Sequence, residues 1–351
     1  MGYDCRNQLP PSTHRKDVED FLGLLGYVRL PRSVLTSKGT TDFFYQPDDD
    51  YKYLEGISAS VYSSKRGHLE VDTHTRIWGS RYEIDFHNKT VKELKRRFGG
   101  SFKSDNGRNR YLTSYGRYLD KAEAGCYQAY GRFYANVALT CHTIDTLRLS
   151  EKTIWPQKKS GIEWIDQFNP LTITANALVP LLVSVVEDYL RTTYIALLRY
   201  SPKKDAVIKE ARLQRDDLSL IASREITVEE AVARSRSFQD LRKISDSFKE
   251  LDTRIDIAGT LKRPYRRRSE SIYAAIERIV KQRHQVIHRA TIFAYYSPTK
   301  VLRDISTIHA GMERVYLELI KAYGWTKDHP DLGQKIPIQS ETPKVRNVPA
   351  C

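Results

Sequence analysis

The sequence predicts an α+β N-terminal domain followed by an all-α helical domain. Three observations carry that expectation. Within residues 1–155, short segments alternate apolar and polar positions at period two, as half-buried strands do. From about 172 to 325 the apolar positions instead recur at helical spacing. Between them "SEKTIWPQKKSGIEW" (150–164), with Pro156, Gly161 and three lysines, reads as a linker. A chain of 351 residues can bury two such cores.

The N-terminal strands are "TDFFYQ" (41–46), "HLEVDTHTRIW" (68–78) and "RYEIDF" (81–86). "NKTVKELKRRFGG" (88–100) reads as a short helix capped by Asn88 and stopped by Gly99-Gly100. "SDNGRNRY" (104–111) is a turn. A helix follows from Asp120 to about Thr146, with Tyr127, Tyr130, Tyr134, Val137 and Cys141 at helical spacing. In the second half a long apolar helix runs from about Thr174 to Tyr200, and Ser201-Pro202 signals another start. Residues 227–251 carry one or two more helices, with Glu and Lys/Arg pairs for exposed faces. A helix from about Ser269 to Tyr295, capped by Ser269, and a last one from Pro298 to Tyr323 complete a helical domain over 165–325. The tail 329–351, rich in proline and without periodicity, is expected to be disordered.

Composition narrows the function classes. Lys and Arg total 57 against 43 acids, a net charge of +14, which suits a polyanionic partner, most simply nucleic acid. Cys5, Cys126, Cys141 and Cys351 fall at neither zinc-ribbon nor disulfide-framework spacing, and so few thiols suit a reducing compartment. "MGYDCRNQ" lacks the apolar core of a signal peptide, and Arg6 stands where a myristoylation motif needs Ser or Thr. The longest apolar run, "ALVPLLVSVV" (177–186), is too short to cross a bilayer. The expectation is a cytoplasmic protein without a membrane partner.

The chemistry concentrates in "KQRHQVIHRA" (281–290). Ile272, Ala275, Ile276, Ile279, Val280, Val286 and Ile287 fall on one stripe of the predicted helix, and Arg283 falls at about 20° from its reference, inside that stripe. A guanidinium cannot shed its charge, so a core-facing arginine needs a buried acid, a polar cavity or an anionic ligand. His284 and His288 lie one turn apart on the adjoining flank, at about 120° and 160°. His-x-x-x-His can bind zinc, but Gln285 stands where a zinc peptidase needs its glutamate base, and two flanking arginines repel a dication. No metal and no cofactor is expected.

Arg283-His284-x-x-x-His288 resembles the R-x4-6-H motif of the HEPN superfamily, which favours Asn, Asp or His directly after the arginine. "VVEDYLRTTYIALL" (185–198) resembles that family's opening helix, and "SFQDLRKISDSFKELDTRIDI" (237–257) the middle segment of its abortive-infection and toxin branches. The resemblance covers roughly 170–325. It implies an all-α HEPN-like bundle with the motif on a late helix. It further implies a metal-independent endoribonuclease of the toxin or phage-defence kind, whose domains pair as a homodimer around one composite site. An antitoxin or regulatory partner fits the same picture. Under that reading His288 is the acid/base group, Arg283 stabilises transition-state charge, and His284 orients or performs a second proton transfer. The acid that holds Arg283 comes from the first helix, where Glu187 and Asp188 are candidates that spacing does not separate. The alternative is a HEPN-like module that binds nucleic acid or a partner without cutting.

Two basic clusters are candidate RNA contacts. Lys92, Lys95, Arg96, Arg97, Lys103, Arg108 and Arg110 are interleaved with Phe98, Phe102 and Tyr111, a composition that suits single-stranded RNA. Gly99-Gly100 lacks the ending of a phosphate-binding loop, so nucleotide hydrolysis is not indicated. Arg266, Arg267 and Arg268 form the second cluster, just before the motif helix, and would steer RNA if they flank its site.

Overall fold

A computed structural model describes residues 2–33, 36–47, 50–64, 67–76, 79–113, 118–154, 162–266 and 269–326, with backbone alone for 147–154, 163 and 164. The expected disordered tail 329–351, Arg267 and Arg268 lie outside the described residues. The chain divides into two compact units, at Ala124 rather than in the 150–164 segment.

The first unit is an antiparallel sheet with two helices. Its strands are β1 (Gly2–Gln8), β2 (Val28–Arg29), β3 (Thr41–Tyr45), β4 (Ile57–Ser63), β5 (Leu69–Arg76), β6 (Ser101–Ser104) and β7 (Gly107–Arg108), in the order β2-β3-β4-β5-β1-β6-β7. Helices α1 (Arg15–Leu24) and α2 (Arg81–Phe98) cover one face. Strict alternation in β4 and β5 sends Ile57, Ala59, Val61, Leu69 and Val71 into the core with Val18 and Leu22 of α1 and Leu94 of α2. The opposite face is polar. There Arg6 forks Asp72 at 2.8 and 3.0 Å, Tyr62 donates to Glu70 and Asp72, and His74 pairs with Asp4 at 2.7 Å.

One expected strand is a helix. "RYEIDF" alternates, but its apolar positions also continue the helical row Ile84, His87, Val91, Leu94, and all four are buried. A capping box decides between the two periods. Ser80 accepts from the Glu83 N–H at 3.2 Å, and the buried Glu83 carboxylate accepts the Ser80 N–H. Glu83 also accepts from the Glu55 N–H at 2.7 Å, so the helix start is fastened to the loop before β4. Asn88, the expected cap, lies mid-helix and clamps both backbone groups of Leu112 at 2.9 Å. His87 sits between the Thr73 and Thr75 hydroxyls at 2.6 and 2.9 Å, and burial pushes its imidazole down to about 3, so it stays neutral. Gly99 and Gly100 end α2 with φ of 80° and 83°, and a side chain at Gly100 would strike the Gln8 carbonyl.

Beyond Gly125 the second unit is helical: α3 (Lys121–Ile154, which begins in the first unit), α4 (Glu163–Asp166), α5 (Pro170–Tyr200), α6 (Lys204–Glu210), α7 (Arg215–Ala222), α8 (Val228–Arg234), α9 (Leu241–Leu251), α10 (Ile257–Lys262), α11 (Ile272–Arg289) and α12 (Pro298–Tyr323). The architecture is thus an antiparallel α+β region followed by an all-helical one. The helix expected from Asp120 belongs with the second core. Tyr130 of α3 stacks on Tyr316 of α12 at 4.7 Å, and Phe133 lies 5.2 Å from Tyr189 of α5.

α5 starts at Asn169-Pro170, where the Asn169 side chain caps Leu171 at 2.8 Å. Its run of ten apolar residues understates it, because the 31-residue helix is long and apolar enough to cross a membrane. In this fold it is the core helix of the unit, with Val179, Leu182, Val186, Tyr189, Leu190 and Leu197 buried. α11 and α12 pack against it and against each other. Gly311 of α12 permits their close approach: a Cβ there would lie 2.6 Å from Ile272. Cys5, Cys126 and Cys141 are buried, and burial pushes the Cys5 and Cys141 thiols up to about 12.

Candidate functional site

The candidate site lies on the last turns of α11. The helix begins at Ser271, two residues after the expected cap, because the Ser271 hydroxyl accepts from the Ala274 N–H at 3.1 Å. Ile272, Ala275, Ile276 and Ile279 are buried as the periodicity requires. After Ile279 the stripe changes character. Gln282 is buried, Arg283 and Val286 are half-buried, and Ile287 is 46% exposed. The apolar stripe therefore leaves the core near Arg283 rather than continuing through it.

Arg283 has no acid in contact among the described residues, and its Nε is buried without a hydrogen-bond partner. His284 and His288 are exposed, with ring centroids 4.4 Å apart and planes inclined at 51°. One helical turn thus presents an imidazole pair beside an arginine whose charge the fold leaves unmatched.

The two acids considered for Arg283 have different fates. Asp188 is taken by Arg132, at 2.9 and 3.2 Å, with Thr192 as a further partner of the same guanidinium. Glu187 is half-buried, and its Oε1 is buried without a partner. It lines a small cavity of about 10 Å³ between α5 and α11 with Val183, Val186, Ile276, Ile279 and Val280. Glu187 and Arg283 are not ion-paired, although both stand on the facing helices.

Two fastenings hold α11, one beyond its C-terminal end and one in its first half. Asn176 of α5 bonds both backbone groups of Phe293, donating to its carbonyl at 3.1 Å and accepting from its N–H at 3.0 Å. With the cavity residues, this contact sets α5 and α11 antiparallel. Five residues before Arg283, Arg278 forks the buried Asp304 of α12 at 2.8 and 3.2 Å, and the Tyr296 hydroxyl donates to the same carboxylate at 2.9 Å. The Asp304 hydrogen bonds hold the Arg278 guanidinium above its ordinary range, and burial pushes Tyr296 up. Sequence reasoning missed this cluster. Its one-dimensional signal is an aspartate among the apolar positions Val301, Leu302, Ile305 and Ile308 of α12.

The remaining RNA-contact candidates fall elsewhere. Arg266 is exposed over the Tyr265 ring, before the start of α11. His288 is sixteen residues beyond Ile272, roughly 24 Å along the helix, so Arg266 stands at the opposite end from the histidines. Lys95, Arg96, Arg97 and Lys103 are all in the first unit. Lys95 lies over the Phe102 ring at 5.4 Å, Arg96 pairs with Glu93 at 2.6 Å, and Arg97 and Lys103 are exposed. Among the described residues, no three of His, Cys, Asp and Glu come together as metal ligands. No protein-family model matches the chain, and neither a curated protein nor a solved structure matches it.

Proposed function

We propose that the helical unit is a HEPN-like, metal-independent endoribonuclease of the toxin or phage-defence kind. The observation that carries this reading is Arg283, half-buried and without an acid, next to the surface pair His284 and His288 on a late helix of a helical unit. Cutting RNA without a metal takes three groups. A base removes the 2′-OH proton, an acid protonates the leaving 5′-oxygen, and a cation meets the charge of the phosphorane. His288 takes one proton role, and His284 takes the second or orients the ribose. Arg283 supplies a planar fork for two phosphate oxygens. Glu187, with an unpartnered oxygen across the α5–α11 seam, positions that fork when RNA draws it in.

In this reading a second copy of the chain completes the site, since one motif offers few catalytic groups and a two-fold axis doubles them. The exposed Ile287 on the same turns suits such a contact. A silencing partner would cover the same surface.

The test is incubation of the purified protein with RNA in EDTA, followed by end mapping. Cleavage leaving 2′,3′-cyclic phosphates is expected, and His288→Ala should lower the rate by about 100- to 10,000-fold with an unchanged melting temperature. Equal cutting by His288→Ala, or cutting lost in EDTA, overturns the proposal.

A further inference from the structure

The first unit carries a basic edge whose charges the fold leaves unmatched. α2 ends at Gly99-Gly100 and turns directly into the β6–β7 hairpin, so its last turn and the hairpin share one border of the sheet. Lys95 ties them, reaching the Asn109 side chain at 3.4 Å while lying over Phe102. Around that border Lys92, Arg97, Lys103, Arg108 and Arg110 are all exposed and form no ion pair with the described residues. Within residues 92–111 the acids are Glu93, which pairs with Arg96, and Asp105, which accepts from the Asp4 N–H, so the border keeps an excess of positive charge that an anion relieves.

The cations lie on both sides of the sheet edge. Lys103 and Arg108 are directly opposite each other on β6 and β7, and alternation places them on the face away from the buried Phe102. Lys92 and Arg97 belong to α2, which covers the Phe102 face. The aromatic residues divide as well. Phe98 packs edge-on against Phe21 at 5.5 Å, and Phe102 is 2% exposed, so both serve the core. Tyr111 is 42% exposed, its ring held 5.0 Å from Phe102. The edge therefore offers one supported stacking platform amid five free cations.

We infer that this edge binds single-stranded RNA, its phosphates following the cations round the hairpin and one base stacking on Tyr111. A duplex is too stiff to bend round a sheet edge, and its bases are already stacked. A single strand bends freely and leaves every base face available. The choice of RNA rests on the ribonuclease reading. The capture surface does not, because it lies wholly within the first unit.

Binding of the full-length protein to a labelled, unpaired RNA of about 20 nucleotides, followed by fluorescence anisotropy across a salt series, tests this inference. Five phosphate contacts give a slope of log K against log salt of about −3.5. The combined variant Arg97→Ala, Lys103→Ala and Arg108→Ala leaves two contacts, so the slope should fall to about −1.4, with affinity down more than about tenfold near 0.1 M salt. Tyr111→Ala should weaken binding about tenfold without changing the slope. All substitutions are at exposed positions, and unchanged melting temperatures confirm the fold. A combined variant that binds with wild-type slope and affinity overturns the inference, as does a duplex bound as tightly as the single strand. If wild type binds in this way but never cuts, the ribonuclease reading fails and the capture surface stands.

Discussion

Two arginines on α11, five residues apart, have opposite surroundings. Arg278 is locked: two hydrogen bonds to buried Asp304, a third to Glu270, and Tyr296 sharing the acid. Arg283 has a buried Nε without a partner and, among the described residues, no acid in contact. The N-terminal half of the helix therefore spends its charge on holding α11 to α12. The C-terminal half keeps its charge available, beside two exposed histidines. The contrast shows why a core-facing arginine is not by itself a sign of function. What matters is whether the fold has already matched it.

Stability measurements break or sharpen this contrast most strongly. Arg278→Ala leaves the Asp304 carboxylate, 3% exposed, without its cation, and should cost about 3–5 kcal/mol. Arg283→Ala removes no ion pair and should change stability by less than about 0.5 kcal/mol. Urea unfolding of the two variants decides it, and equal losses would erase the distinction between them. A smaller effect is expected at the end of the helix. Ala290 closes α11 in the left-handed region, with φ 49° and ψ 32°, where glycine carries no penalty. Ala290→Gly should stabilise the protein by up to about 1 kcal/mol while leaving Arg278 and Arg283 as they are. A loss in the same unfolding assay would mean that the Ala290 methyl group supports the site half of the helix.

Much of the fold was legible along the chain because it is written locally. Ser297-Pro298 and Gly324 bracket α12 at the expected ends, and the apolar rows of α5 and of the first half of α11 run where periodicity puts them. "RYEIDF" was misread because six residues fit either period, and only the Ser80–Glu83 box, whose partners stand three positions apart, settles the matter. The seam was misplaced because Pro156 and Gly161 look like a linker, whereas the aromatic face of α3 belongs with α5 and α12. At the candidate site, the histidine pair follows from spacing alone. The partners of Arg278, Asp188 and Phe293 lie 26, 56 and 117 residues away, and no local pattern encodes such distances. The same holds for the candidate RNA-contact residues. Spacing grouped Phe98, Phe102 and Tyr111 together, and packing alone separates the two core rings from the exposed one.

The central claim is that the Arg283 guanidinium is kept free for a phosphate. Chemical rescue tests it most directly: RNA cleavage in EDTA by Arg283→Ala, with and without added guanidinium ion, beside Arg278→Lys as a control. Cleavage should be lost in Arg283→Ala, partly restored by guanidinium at concentrations that leave the fold intact, and retained in Arg278→Lys under conditions where that variant is folded. Wild-type cutting by Arg283→Ala without rescue would contradict the account.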